Sequence, residues 1–208
     1  MQRVLFVCTG NQCRSPMAEA LLRSKLPAAC GIEVDSAGTI GDGTPPPDNA
    51  VKVMEDAGLD ISERPSRPLD PRTLEAADLV VTMSRQHLVD VVTTHPPVLE
   101  RAFTFADLLD RAATAGPRRP DETVAAWARR LSAGRTTVSI LQLPSAADIE
   151  DPIGGGIGVF EQTRILLDRL TSDLAALLTG EPGGAGEAGE AEGAGGIMRR
   201  RRPWWRSG

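Results

Sequence analysis

The chain has 208 residues, 41% of them hydrophobic and 25% charged, with a formal net charge of −5, enough to bury one ordinary core without disulfide or metal staples. It holds no run of about 18 apolar residues that could span a membrane, its first ten residues lack the basic and apolar regions of a secretory signal, and three cysteines suit a reduced, cytoplasmic chain. An acidic total with 3% aromatic residues and two histidines excludes a general nucleic-acid binder and a multi-histidine metal centre, so no cofactor and no metal is expected.

Residues 3–7 form a compact apolar run, as expected of a strand covered on both faces. Ser15-Pro16 reads as a helix start, with Ser as N-cap and Pro as first helical residue. Residues 32–36 read as a second strand, 48–57 as a helix stopped by Gly58, 78–83 as a third strand, 85–92 as a helix and 102–105 as a fourth strand. A helix is expected over 122–131, inside a stretch (112–143) that reads as an excursion from the sheet. Residues 159–178 carry apolar side chains at helical spacing. Strands alternating with helices predict a parallel sheet with helices on both faces, a doubly wound three-layer α/β/α domain. After residue 179 the composition turns to Gly, Ala, Glu and Pro, which predicts a disordered tail over 180–208. That tail ends in Arg199 to Arg202 and Pro203-Trp204-Trp205-Arg206.

The informative segment joins the first strand to the first helix: Cys8-Thr9-Gly10-Asn11-Gln12-Cys13-Arg14-Ser15-Pro16. Open parallel sheets place ligands at such a junction. Five residues between Cys8 and Arg14 can curl their N–H groups inward above the helix N-terminus, forming an anion nest. Gly10 lets the backbone approach closely and Asn11 tolerates a left-handed turn. Arg14 presents a planar fork matching two phosphoryl oxygens. Cys8, at the centre of this positive field, would attack as a thiolate, with Ser15 donating its hydroxyl to it. The pattern favours a dianion held over a sulfur nucleophile. No Gly-x4-Gly-Lys-Ser/Thr nucleotide loop is present.

On these residues the chain resembles the low-molecular-weight protein tyrosine phosphatases. Further matches are Asp35-Ser36-Ala37-Gly38-Thr39, Asp60-Ile61-Ser62, Ala77-Asp78-Leu79-Val80 and Asp151-Pro152, so the resemblance covers residues 1–179 and is weakest over 112–147. It implies a four-stranded parallel sheet and a metal-free, two-step phosphatase acting on phosphorylated protein substrates, phosphotyrosine by default. It also implies catalytic roles for Cys8, Arg14 and Asp151, the last protonating the leaving group and then activating water. Thr9, Gly10, Asn11, Gln12, Cys13 and Ser15 would bind the phosphate, and Cys13 could form a reversible disulfide with Cys8 that shields it. Asp148 is a neighbouring competitor for the acid role.

Two residues bear on the substrate. Ile153 stands where phosphotyrosine enzymes of the family often carry an aromatic, and Thr9 where they tend to carry a bulky aliphatic residue. Thr9 with the later Asp-Pro-x-Gly-Gly looks like the bacterial protein arginine phosphatases, since a hydroxyl could bond a guanidinium; a bland loop role for Thr9 is the alternative. Arsenate reductases share the fold, but those that draw two resolving cysteines from a later segment are excluded, because only Cys30 follows Cys13. Residues 41–48 and Trp127 are candidate pocket walls, with a surface turn and a core position as alternatives, and His87 and His95 read as surface residues. The Arg/Trp cluster suggests weak contact with an anionic membrane, which raises a third reading: a membrane-tethered binding module with little activity.

Overall fold

Val4, Leu5, Phe6 and Val7 carry no polar group because nothing polar surrounds them. In the computed structural model, which describes residues 1–180, all four are fully buried at the centre of a four-stranded sheet. Strand β1 (Gln2–Cys8) pairs in parallel with β2 (Ile32–Gly38) and with β3 (Leu79–Thr82), and β4 (Ala102–Thr104) pairs in parallel with β3, giving the order β2-β1-β3-β4. Chain order therefore reverses at β1, and the strand ends flanking that point, Cys8 opposite Gly38 and Val7 opposite Thr82, frame the crevice where such sheets bind ligands.

Successive strand residues point to opposite faces, so β1 feeds two cores. Val4, Phe6 and Cys8 pack with α1 (Arg14–Lys25), α2 (Asp48–Glu55), α5 (Phe105–Ala115), α6 (Val124–Leu131) and α8 (Ile157–Thr179). Leu5 and Val7 pack with α3 (Pro71–Ala76), α4 (Arg85–Thr94) and α7 (Thr137–Leu141). On the first face the rings of Phe6 and Phe105 stack with centroids 5.5 Å apart. The α/β/α architecture and the parallel sheet agree with expectation, and strand limits shift by one or two residues. The last helix starts two residues earlier than its apolar pattern and ends at Gly180, whose φ of +73° stops it.

One reading needs correction, one alternative is decided and two helices are added. The stretch 112–143 is not an excursion: α6 lies on one face of the sheet and α7 on the other, so the chain wraps around the edge strand β4. Trp127 takes the core alternative, fully buried with Nε1 donating to Gly116 O at 3.2 Å. Helices α3 and α5 were not foreseen at all: α3 is six residues long and capped by Asp70, and α5 begins directly where β4 ends, capped by Thr104. No described helix is long and apolar enough to cross a membrane. The tail, 181–208, lies outside the described residues.

Candidate active site

Between the end of β1 at Cys8 and the start of α1 at Arg14 the chain turns through Asn11, whose φ of +51° is the one left-handed value among the described non-glycine residues. That turn aims the Asn11 N–H at Cys8 Sγ, 3.3 Å away. Its side chain is equally committed: Nδ2 donates to Ser15 Oγ at 2.9 Å and to Ser36 Oγ at 2.8 Å, while Oδ1 accepts from the Arg67 N–H at 2.8 Å. Ser15 Oγ lies 3.0 Å from Cys8 Sγ and 3.5 Å from Ala37 O, and, accepting a hydrogen bond from Asn11 Nδ2, it has its own proton for the sulfur or that carbonyl. Ser36 passes the network on, donating to Glu19 Oε2 at 2.6 Å. Glu19 is almost fully buried and ion-paired to Arg23 and Arg64, which satisfies a charge that could not stay buried alone. Asn11 is thus tied to β2, α1 and the segment after Gly38 at once.

The helix starts two residues earlier than the Ser-Pro pair suggests. Cys13 holds the N-cap position and no side chain caps the first turn, so Ser15 is spared for the sulfur and the helix end faces the loop as an anion site. Close approach also falls elsewhere than expected. A Cβ on Gly10 would make ordinary contact with Gln12, whereas a Cβ on Gly38 would stand 2.6 Å from Thr9 O and 2.7 Å from Asn11 N. Gly38, at the end of β2, is the residue whose missing side chain lets the loop close, and the Asp35-Ser36-Ala37-Gly38-Thr39 match was its only trace in the sequence.

Arg14 is buried, and its fork reaches across 137 residues of sequence: Nη1 donates to Ile149 O at 3.0 Å and Nη2 pairs with Asp151 Oδ2. The Asp151 arm is held at both ends. Ile149 N–H donates to Met83 O at 2.8 Å, and Asp148 accepts from the Arg85 N–H at 2.8 Å, so Asp148 anchors the arm. Ile153 N–H donates to Asp151 Oδ1 at 3.2 Å, and Gly154, with φ +84°, completes the turn into α8. Two apolar residues, Ile40 and Ile153, are exposed beside this centre, the first bonded through its N–H to Thr9 O. Residues 41–48 are pinned to Ser66, which accepts from the N–H groups of Asp42 and Gly43.

His87, read as a surface residue, is buried against the loop. Its Nε2 is 2.8 Å from Thr9 Oγ1 and its Nδ1 2.8 Å from Ser84 Oγ. Burial, reinforced by the Arg14 charge, lowers its pKa to about 4. A histidine on a polar-looking helix start gives no hint of a partner 78 residues away. Cys13 is buried, and burial, with Asp151 and Cys8 nearby, pushes its thiol up to about 12. Cys30 sits before β2, at the opposite end of the sheet from Gly38, about 20 Å from Cys8 at 3.3 Å per strand residue.

The model of the family described as "Low molecular weight phosphotyrosine protein phosphatase" matches residues 3–117. The chain is 39% identical to a "Probable low molecular weight protein-tyrosine-phosphatase EpsP" of Ralstonia nicotianae over 52% of this chain and 73% of that protein. It is 32% identical to a "Protein-arginine-phosphatase" of Geobacillus stearothermophilus over 86% of this chain and 97% of that protein. Among solved structures, a low molecular weight protein tyrosine phosphatase from T. tengcongensis superposes with a TM-score of 0.61 at 31% identity, covering 84% of this chain and 97% of that one.

Proposed function

Because the chain belongs to the low-molecular-weight phosphotyrosine protein phosphatase family and is a hydrolase of that type, we propose that it dephosphorylates protein side chains, phosphotyrosine by family default, through a phosphocysteine on Cys8. One observation carries the reading. The sulfur of Cys8, with the Ser15 hydroxyl and the Asn11 N–H directed at it, shares one crevice with Arg14, and Arg14 is already paired with an aspartate brought from the far end of the chain. A phosphoryl dianion entering the loop displaces Asp151 from the guanidinium and takes both prongs of the fork. Displaced from the guanidinium beside a dianion, Asp151 takes up a proton from solvent. Cys8 then attacks phosphorus in line as a thiolate, the P–O or P–N bond breaks, and Asp151 gives that proton to the departing oxygen or nitrogen. Asp151 then takes a proton from water, which attacks phosphorus and frees the thiolate. The loop from Thr9 to Ser15, Gly10, Gln12 and Cys13 included, stabilises the equatorial oxygens in both steps.

A second reading, phosphoarginine as substrate, is favoured by Thr9 beside the nucleophile and by the later Asp-Pro-x-Gly-Gly loop, while Ile153 speaks against it, standing where the arginine-specific enzymes usually carry Phe. Initial rates on a phosphotyrosine peptide and a phosphoarginine peptide, with Cys8→Ser as blank, test both. Turnover of either above the blank, with phosphate trapped on Cys8 after rapid quench, supports the phosphatase; rates equal to the blank on both remove it. Arsenate reduction is disfavoured because Cys30 is too distant to relay a disulfide from Cys8.

The remaining assignments rest on sequence. A catalytic domain over 1–179 followed by a separate tail, and a cytoplasmic setting that keeps Cys8 reduced, fit the proposed chemistry. Weak contact of the Arg199–Arg202 and Trp204-Trp205 cluster with anionic membranes predicts that the full chain, and not one ending at Gly180, co-sediments with anionic liposomes; equal partitioning removes it.

A further inference from the structure

Thr9 follows the nucleophile, yet its hydroxyl is held by a residue that phosphate binding does not require. Thr9 Oγ1, His87 Nε2, His87 Nδ1 and Ser84 Oγ form a continuous chain with both hydrogen bonds at 2.8 Å. Ser84 is the N-cap of α4, so its Oγ also accepts the backbone N–H of His87, at 3.2 Å. The ring is buried, feels the charges of Arg14 and Asp151, and with its pKa lowered to about 4 is neutral at pH 7. One ring nitrogen then donates and the other accepts.

The cap disposes the chain to one direction. With one lone pair of Ser84 Oγ taken by the His87 N–H, its own proton has Nδ1 in reach; with Nδ1 accepting, Nε2 carries the ring proton and donates a hydrogen bond to Thr9 Oγ1, the tautomer that the proposal requires. The Thr9 hydroxyl proton is left as the one member of the relay with no acceptor among the described residues, one residue beyond Cys8. We propose that His87 is a positioning residue that, through this relay, turns the Thr9 hydroxyl proton toward the transferring phosphoryl group and makes Thr9 an additional donor to the transition state. This rests on the phosphatase reading of the same site and adds to it a residue that never touches substrate. It also separates two roles for Thr9. A donor to phosphoryl oxygens serves every substrate, whereas an acceptor for guanidinium serves phosphoarginine alone.

The test is a double-mutant cycle with Thr9→Val and His87→Leu, read as kcat and KM on para-nitrophenyl phosphate and on phosphoarginine, with melting temperatures alongside. Each single change should lower kcat roughly tenfold on both substrates with little change in KM, a donor being lost from the transition state. The double variant should lose no more than either single one, because both remove the same proton. His87→Gln, whose amide nitrogen can reach the Nε2 position, should recover part of the loss. Losses that multiply in the double variant, or that fall only on phosphoarginine, overturn the relay. Should His87→Leu fail to fold, the 15N shifts of the His87 ring in the wild-type protein decide: a proton on Nε2 supports the relay and a proton on Nδ1 overturns it. A wild-type protein inactive on both substrates would remove the phosphatase reading and the relay with it, whereas an active enzyme with a multiplicative cycle removes the relay alone.

Discussion

Asp151 sits in the fork of Arg14, the place the proposed reaction gives to the substrate, so the same carboxylate is both the proposed acid and an internal rival of the phosphoryl group. Removing it separates the two effects. Asp151→Ala should lower kcat by about 10² to 10⁴, the usual worth of a general acid, while inorganic phosphate, freed from competition and from like-charge repulsion, inhibits more tightly than in the wild type. Parallel determination of kcat and of the phosphate Ki checks both signs; a weaker Ki would mean that Asp151 helps to hold the anion. His87 makes a stability prediction of its own. Its pKa is near 4 folded against 6.5 when unperturbed, so between those values the unfolded chain binds the extra proton and stability rises with pH. The penalty is absent above about pH 6.5, grows as pH falls and saturates below about pH 4, reaching at most about 3 kcal/mol. Urea midpoints of the wild type and His87→Gln at pH 7 and pH 4.5 should converge on acidification, the variant having no imidazole to charge. A gap that stays constant would show that His87 titrates normally.

The loop from Cys8 to Arg14 is shaped less by its own residues than by the strand beside it. A side chain on Gly38 would press on the Thr9 carbonyl and the Asn11 amide, both of them backbone, whereas one on Gly10 would meet only the end of Gln12. Gly38→Ala should therefore lower the unfolding free energy by about 1 to 3 kcal/mol and abolish most turnover by moving the Asn11 N–H off the sulfur. Gly10→Ala should leave the melting temperature unchanged, and thermal melts of the pair decide. This contrast also marks how far the sequence could be read. The Cys8 to Arg14 spacing, the apolar run of β1 and the Asp-Pro pair were legible because each is a local pattern with a local cause. Gly38 and His87 were not, because what constrains them is another segment: the loop itself closing over Gly38, and Thr9 reaching His87 from across the sheet. Ser15 was misread for a related reason. Ser before Pro is a good helix start in isolation, but here the hydroxyl is claimed by Cys8 and Asn11, and the helix begins without a cap. Helix α3 escaped because its six residues bury only Leu74 and show little beyond the Asp70 cap, whereas α5 does carry apolar residues at helical spacing, Phe105, Leu108, Leu109 and Ala112, but follows β4 without a break.

At the scale of the molecule, the problem is to bring Asp151 back to a loop at the other end of the chain, and the wrap around β4 solves it. From α6 on one face to α7 on the other the chain crosses the exposed edge of the sheet, covering backbone groups that would otherwise invite pairing, and then delivers Ile149 to Met83 and Asp151 to Arg14. The crossing is fastened by Arg135, almost fully buried. One of its nitrogens donates to Leu99 O at 3.0 Å and Ala102 O at 2.6 Å, its guanidinium lies 4.3 Å from the Phe103 ring centroid, and it pairs with Asp107 at 3.3 Å. Burial lowers its pKa to about 10, still far above neutrality, so it is charged when the enzyme works. Asp107 is shared with Arg111, which in turn donates to Leu131 O at 3.0 Å, so a single ionic cluster joins β4, α5, α6 and the crossing. Arg135→Leu strands two carbonyls and half of a buried carboxylate, and should cost about 3 kcal/mol, the scale of a broken buried pair. Arg135→Lys keeps the charge without the planar fork that reaches carbonyls, ring and carboxylate together, and should recover less than half of that loss. Urea unfolding of the two variants measures both. Since the same crossing carries the arm that bears Asp151, the destabilised Leu variant should lose phosphatase activity at lower urea than it loses helical circular dichroism; coincident loss of the two signals would mean that the wrap and the core unfold as one unit.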